Sequence, residues 1–163
     1  MTYNEQSLLK ELEQLGIHYD YISHPAVFTS EQANRAMPDL SSAHCKNLFV
    51  KDRTGKKWLL TIPDDKRADL KVVAEKIGSA RLSFCSAEEM MECLGIAPGS
   101  VTPLAVINDT KNQVELIVDK NIMDWDTIHC HPMINTATIS ISPTDFKKFI
   151  EYTNHDLKVM SIV

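Results

Sequence analysis

The sequence predicts an α+β domain, and three observations carry that reading. First, a hairpin is written into Cys45–Pro63, where two apolar, β-prone runs flank Arg53-Thr54-Gly55-Lys56. Second, helix-start signals alternate with further strand-like runs along the rest of the chain, an order that gives a mixed α+β architecture. Third, 163 residues with 44% hydrophobic and 24% charged side chains fit one domain with a full core and are too few for two comfortable ones. Residues 1–163 are therefore expected to form a single domain.

The elements follow in order. Leu8, Leu9, Leu12 and Leu15 recur at helical spacing over 4–15, and Gly16 stops that helix. Tyr19, Tyr21 and Ile22 suggest a short strand, broken at His24-Pro25 because the residue before proline avoids the helical region. Thr29 with Gln32 reads as a capping box opening a short helix to about Met37, and Pro38–His44 as a loop. After the hairpin, Asp69 can cap a helix with Leu70, Val72, Val73 and Ile77 on its apolar side, closed by Gly78. Ala80–Phe84 suggests a short strand. Ser86 with Glu89 is a second capping box, for a helix ending at Gly95. Leu104–Ile107, Val114–Val118, Thr127–Cys130 and Asn135–Ile141 read as strands in mostly hairpin-like succession. Ser142-Pro143 is an N-cap followed by proline at the first helical position, with Phe146, Phe149 and Ile150 facing inward. Val159–Val163 fits a last edge strand.

Charge narrows the function. The net charge of −5 argues against a general nucleic-acid binder. Its distribution is uneven: residues 46–81 hold ten basic side chains against five acidic ones, a net of +5, which leaves the remainder at −10. A basic segment on an acidic body suits a partner whose phosphates touch one region only. No apolar run is long enough to span a membrane, and the N-terminus lacks the basic-then-apolar pattern of a signal peptide. Cys45, Cys85, Cys93 and Cys130 are scattered, with no CxxC, as expected of reduced thiols in a cytoplasmic protein.

Three stretches hold residues able to do chemistry. Lys46 opens the first hairpin strand beside Asn47, and an ammonium at the start of an apolar strand needs water or an anion to face. Gly95-Ile96-Ala97-Pro98-Gly99-Ser100-Val101-Thr102-Pro103 has two glycines that free backbone N–H groups to turn towards a ligand and two prolines that stiffen the loop. His129-Cys130-His131-Pro132-Met133-Ile134-Asn135 follows, with the two histidines expected on one strand face. His44, Cys45, His129, Cys130 and His131 are of types that suit zinc, but their spacing is not that of a ligand pair, and no metal or other cofactor is expected. Cys45 or Cys130 beside a histidine is the alternative, a thiol hydrolase, although no base and orienting partner can be named.

Together, Cys45-Lys46-Asn47-Leu48-Phe49, the Gly95–Pro103 loop, His131-Pro132-Met133-Ile134-Asn135-Thr136-Ala137-Thr138 and His24-Pro25-Ala26-Val27-Phe28-Thr29 occur in an order that resembles one family. It is the YbaK/prolyl-tRNA-synthetase-associated domain family of trans-editing aminoacyl-tRNA deacylases, and within it the free-standing relatives of the bacterial prolyl-tRNA synthetase editing domain. The similarity covers nearly the whole chain.

The resemblance implies a mixed α+β fold with a partly barrel-like sheet and a hydrolase that clears mischarged alanine from proline tRNA. It places the family's essential lysine on Lys46, its glycine-rich loop on Gly95–Pro103 and its histidine on His131. In the implied chemistry, Lys46 faces the terminal phosphate or the reacting ester. The N–H groups of Gly99 and Ser100 face the carbonyl, and His131 is a hydrogen-bonding wall. The substrate's own 2′-hydroxyl helps to orient water in this family. Asn47 and Lys51 are expected to touch the substrate, with Phe28, Met133 and Ile134 as the wall that excludes proline. The expected partners are the acceptor end of a mischarged tRNA and a prolyl-tRNA synthetase. Deacylation of Cys- or Ser-charged tRNA, or non-catalytic docking on tRNA or synthetase, are the alternatives.

Overall fold

The computed structural model describes residues 2–26 and 44–163. The expected helix opened by Thr29, and Phe28 with it, lie outside the described residues. The caps expected at Asp69, Ser86 and Ser142 do their work. Helix α1 (Glu5–Gln14) is capped by Asn4, which exchanges bonds with Ser7, and it buries Leu8 and Leu12. Helix α2 (Leu70–Ile77) is capped by Asp69 and closed by Gly78 in the left-handed conformation. The Ser86–Glu89 capping box opens α3 (Ala87–Leu94), and Gly95 closes it the same way.

The strands form two open sheets. One has the order β1 (Asp20–Ser23), β7 (Ala137–Ile141), β6 (Ile128–Cys130), all antiparallel. The other runs β4 (Ser83–Phe84), β2 (Cys45–Lys51), β3 (Lys57–Pro63), β5 (Val114–Asp119), β8 (Leu157–Met160). The hairpin is β2 with β3, in register from Cys45 opposite Pro63 to Lys51 opposite Lys57. The succession is less hairpin-like than the sequence suggests, because β3 pairs with β5 and β5 with β8 in parallel. Each parallel pair needs a long crossover. The segments carrying α2, α3 and, later, α4 (Pro143–Tyr152) supply them.

Parallel pairing on β5 and helices on both sides leave β3 buried on both faces. Leu59 joins the larger core with Leu8, Leu12, Leu104, Leu116, Phe146 and Phe149. Trp58, Leu60 and Ile62 join a smaller core under α2, with Val50, Val73 and Ile117. Period-two alternation therefore sorts the side chains of β2 and β3 between two environments.

Two expectations change. Leu104–Ile107 is not a strand: Pro103–Asn108 is a 3₁₀ helix, with the Thr102 side chain accepting from the Leu104 N–H and proline in the first turn. The run is buried on every side, so it carries no alternation to separate strand from helix, and Thr102-Pro103 is the start signal that decides. The tail strand ends at Met160, earlier than expected. Beyond it the buried Asp119 carboxylate accepts the Ile162 and Val163 N–H groups, holding the tail as non-ladder backbone. No helix among the described residues is long and apolar enough to cross a membrane.

Candidate active site

The start of β2 meets the Gly95–Pro103 loop through one side chain. Asn47 lies directly opposite Thr61, whose hydroxyl donates to Asn47 Oδ1 at 2.7 Å. Asn47 Nδ2 in turn donates to the Val101 carbonyl at 3.3 Å. The other end of the loop is tied down too. Asn108 donates to the Leu94 and Tyr3 carbonyls and accepts from the Tyr3 N–H. A Cβ on Gly95 would lie 2.8 Å from Asn108 Nδ2 and 2.6 Å from a Thr2 methyl, and Gly95 has φ +66°, so glycine is required there on two counts.

Inside the loop, the Ser100 N–H donates to the Ala97 carbonyl at 3.1 Å across a turn with Pro98 second and Gly99, at φ 91°, third. That is the type II arrangement, which uses the amide of its fourth residue and turns the peptide before the glycine outward. The expectation for Ser100 is corrected accordingly: its amide closes the turn and is not available to a ligand. The Gly99 N–H has no acceptor among the described residues.

The connection from β6 to β7 brings the histidines. His24 and His131 face each other with ring centroids 6.3 Å apart, while His44 and His129 form a second pair at 5.8 Å. The two histidines expected to act on one strand face thus belong to different pairs, since β6 ends at Cys130. His131 Nδ1 lies 3.1 Å from the Ala137 carbonyl, and a carbonyl only accepts, so Nδ1 carries the proton and Nε2 the lone pair. Burial, helped by His24 nearby, pulls His131 below its ordinary pKa against the opposing pull of the Ala137 carbonyl, so the ring is neutral at pH 7. His24 is pinned at both nitrogens, by the Pro25 carbonyl and the Thr138 hydroxyl, each at 2.8 Å. His129 Nδ1 lies 2.8 Å from the Ser140 hydroxyl, and burial followed by His44 lowers its pKa.

The thiols are unsuited to attack. Burial, with Cys130 and Asp64 adding to it, lifts Cys45 well above the ordinary thiol value, and burial lifts Cys130 to about 12. Both are protonated at pH 7, and the thiolate is the nucleophile. No group of three metal-ligating side chains is assembled among the described residues.

The predicted contacts divide. Lys46 and Asn47 stand side by side, yet alternation puts them on opposite faces: Lys46 pairs with Ile62 on the α2 side, and Asn47 faces the loop. Lys46 has no hydrogen bond or ion pair among the described residues and is half-buried. Lys51 is not brought to this end. Its ammonium is held by Glu89 at 2.8 Å, five residues along β2. Met133 is buried with φ 72°, and Ile134 beside it is half-buried, both in the turn between β6 and β7. A non-glycine residue in that conformation is strained by about 1–3 kcal/mol and concentrates at functional sites.

Residues 24–149 match the family model described as the aminoacyl-tRNA editing domain. The chain belongs to that family. The editing domain is 32% identical over 159 residues to the prolyl-tRNA editing protein ProX of Acetoanaerobium sticklandii, covering 97% of both chains. It is 36% identical over 155 residues to prolyl-tRNA synthetase associated domain-containing protein 1 of Bos taurus, covering 92% of this chain and 90% of that one. Its fold matches a solved candidate trans-editing enzyme for prolyl tRNA synthetase at a TM-score of 0.71, with 19% identity and 98% of each chain covered. The matched region of the editing domain runs from His24 past His131 and so contains Lys46, Asn47, Thr61, the Gly95–Pro103 loop and both histidine pairs. Sequence reasoning missed Thr61, since nothing in the mostly apolar Lys57–Pro63 strand marks its hydroxyl as the partner of a residue fourteen positions earlier.

Proposed function

We propose that this protein is a trans-editing deacylase that hydrolyses the ester of mischarged tRNA, with alanyl-tRNA(Pro) as its substrate. The observation that carries this is the junction of Asn47 with the Val101 carbonyl, which sets the Lys46 end of β2 against a turn presenting the Gly99 N–H. Family membership and a relative whose name is prolyl-tRNA editing protein support it.

An aminoacyl ester is already activated, so the reaction needs no protein nucleophile, and the protonated thiols supply none. Water adds to the ester carbonyl carbon, the bond to the ribose oxygen breaks, and that oxygen takes a proton. Free alanine and intact tRNA leave. The Gly99 N–H is placed to receive the oxyanion that develops on the carbonyl, a contribution that grows in the transition state. The substrate's 2′-hydroxyl orients the water. Neutral His131, with Nδ1–H held by Ala137, offers Nε2 as an acceptor towards the amino acid or its ribose.

The sheet geometry favours the phosphate role for Lys46 over the ester role. Its Cβ starts on the face away from the loop, so a point charge there suits the terminal phosphate passing the strand end. Met133 and Ile134 form the wall that admits alanine and excludes the larger proline, and Phe28, the third candidate, lies outside the described residues. The acceptor end of tRNA is the partner, and docking on a prolyl-tRNA synthetase would bring the domain to newly made ester.

A panel of proline tRNAs charged with alanine, cysteine, serine and proline tests the reading. Enzyme-dependent release of alanine ahead of the other three is expected. Preferred release of cysteine or serine reassigns the substrate, and tight tRNA binding with no release from any ester leaves a docking module.

A further inference from the structure

Thr61 is buried to 1% exposure in the middle of the five-stranded sheet, between Asn47 on β2 and Val118 on β5. Its hydroxyl has a job that can be deduced step by step. The Val101 carbonyl can only accept, so the nitrogen of the Asn47 amide must face it. The amide oxygen then faces Thr61, and a carbonyl oxygen also only accepts, so the Thr61 hydroxyl must be the donor. One orientation of the amide satisfies both contacts. The reverse orientation would set Asn47 Oδ1 against the Val101 carbonyl, two acceptors with no proton between them.

We propose that Thr61 is a positioning residue for ester hydrolysis: it locks the Asn47 amide, and through it the Gly95–Pro103 loop that carries Gly99. The proposal rests on the deacylase reading above. Val101 lies two residues beyond Gly99 in a loop whose other end is fixed at Leu94 and Gly95 by Asn108. The Asn47 contact is thus the tether on the catalytic side. At 3.3 Å it is long, which makes it dependent on the 2.7 Å bond behind it. Without the hydroxyl, Asn47 Oδ1 keeps no donor among the described residues in a half-buried setting, and the amide turns to find one. A misplacement of the order of an ångström at an oxyanion donor is enough to lower the chemical rate by about two orders of magnitude.

The test uses Thr61→Val, which keeps the branched shape and loses the donor, and Thr61→Ser, which keeps the donor. Alanine release from alanyl-tRNA(Pro) is measured as kcat and KM, with thermal melting alongside. Thr61→Val is expected to lower kcat about 10–100-fold with KM within about threefold, and Thr61→Ser to stay within about threefold of wild type. The pair Asn47→Ala with Thr61→Val should be no slower than Asn47→Ala alone, because both act through one contact. Wild-type kcat in Thr61→Val, equal damage in Thr61→Ser, or additive losses in the pair would overturn the proposal. If the wild-type protein hydrolyses no ester, the functional reading fails, and the relay is judged separately by exchange of the Asn47 side-chain amide protons. Slow exchange in wild type and Thr61→Ser and fast exchange in Thr61→Val support the relay, and equal exchange in all three refutes it.

Discussion

Strand β2 has a lysine near each end, and the two are in opposite situations. Lys51 is committed: its ammonium sits 2.8 Å from Glu89, a carboxylate that also accepts the Ser86 N–H in the capping box of α3. Lys46, about 17 Å away along the strand, has no ion pair or hydrogen bond among the described residues and stands opposite apolar Ile62. Both were expected to meet the substrate, Lys46 through its match to the family's lysine. The difference narrows the candidates, because an ammonium already held by a carboxylate is not free to hold an anion. The same holds for the basic segment 46–81 as a whole, because Lys56 is also paired, with Glu115 at 3.2 Å, as is Lys158 from β8. Part of the segment's surplus positive charge is therefore used to join strands.

The largest expected effect separates the two lysines. Lys46→Ala should lower kcat/KM for alanine release roughly 10–100-fold, the worth of one charge-assisted hydrogen bond to a phosphate. Lys51→Ala should stay within about threefold and show instead a slightly lower melting temperature, because its partner is a solvated carboxylate. Equal losses in the two variants would remove the distinction between the ends of β2.

The next effect concerns Met133, in the proposed size-selecting wall. Met133→Ala is expected to raise the ratio of prolyl to alanyl ester hydrolysis by roughly tenfold or more, the range seen when a packed pocket gains a few methylenes of room. The ratio is insensitive to how much of the variant is folded. An unchanged ratio would place the size filter elsewhere than Met133.

The smallest effect is at the Lys51 end. The hydrogen bond from Lys51, then the Ser86 backbone, hold the Glu89 carboxyl at about 2, against an ordinary 4.5. The unfolded chain takes up that proton near 4.5 and the folded one only near 2. This stabilisation is therefore complete above about pH 4.5 and is lost as the pH falls through that window. Acid titration of unfolding should show a shallower loss of stability across it in Glu89→Gln than in wild type. Parallel acid limbs would mean that the pair contributes nothing.

Local features were legible and long-range ones were not. Asp69, Ser86 and Ser142 all cap the helices that their neighbours announce, because a cap is written within four residues. The Cys45–Pro63 hairpin was legible for the same reason. The parallel partners of β3 and β5 were not, since a crossover leaves no mark at the strands it joins. At the site, Lys46, Asn47, the loop and His131 were recognisable as ordered motifs. Three things are visible only in the fold: the pairing of Lys51 with Glu89, the Ser100 amide closing its own turn, and the Thr61 hydroxyl behind Asn47. Each is a choice of hydrogen-bond partner, and a residue's type fixes what it can bond but not what it does bond.

The central claim is that water hydrolyses an aminoacyl ester at the Lys46 end of β2. Single-turnover release of alanine from alanyl-tRNA(Pro), followed against rising enzyme concentration for wild type and Lys46→Ala, tests it most directly. The account predicts saturable, enzyme-dependent release by wild type. It also predicts a Lys46→Ala curve that needs at least about tenfold more enzyme to reach half of its maximum. A wild-type curve no faster than spontaneous hydrolysis, or two superimposable curves, would contradict it.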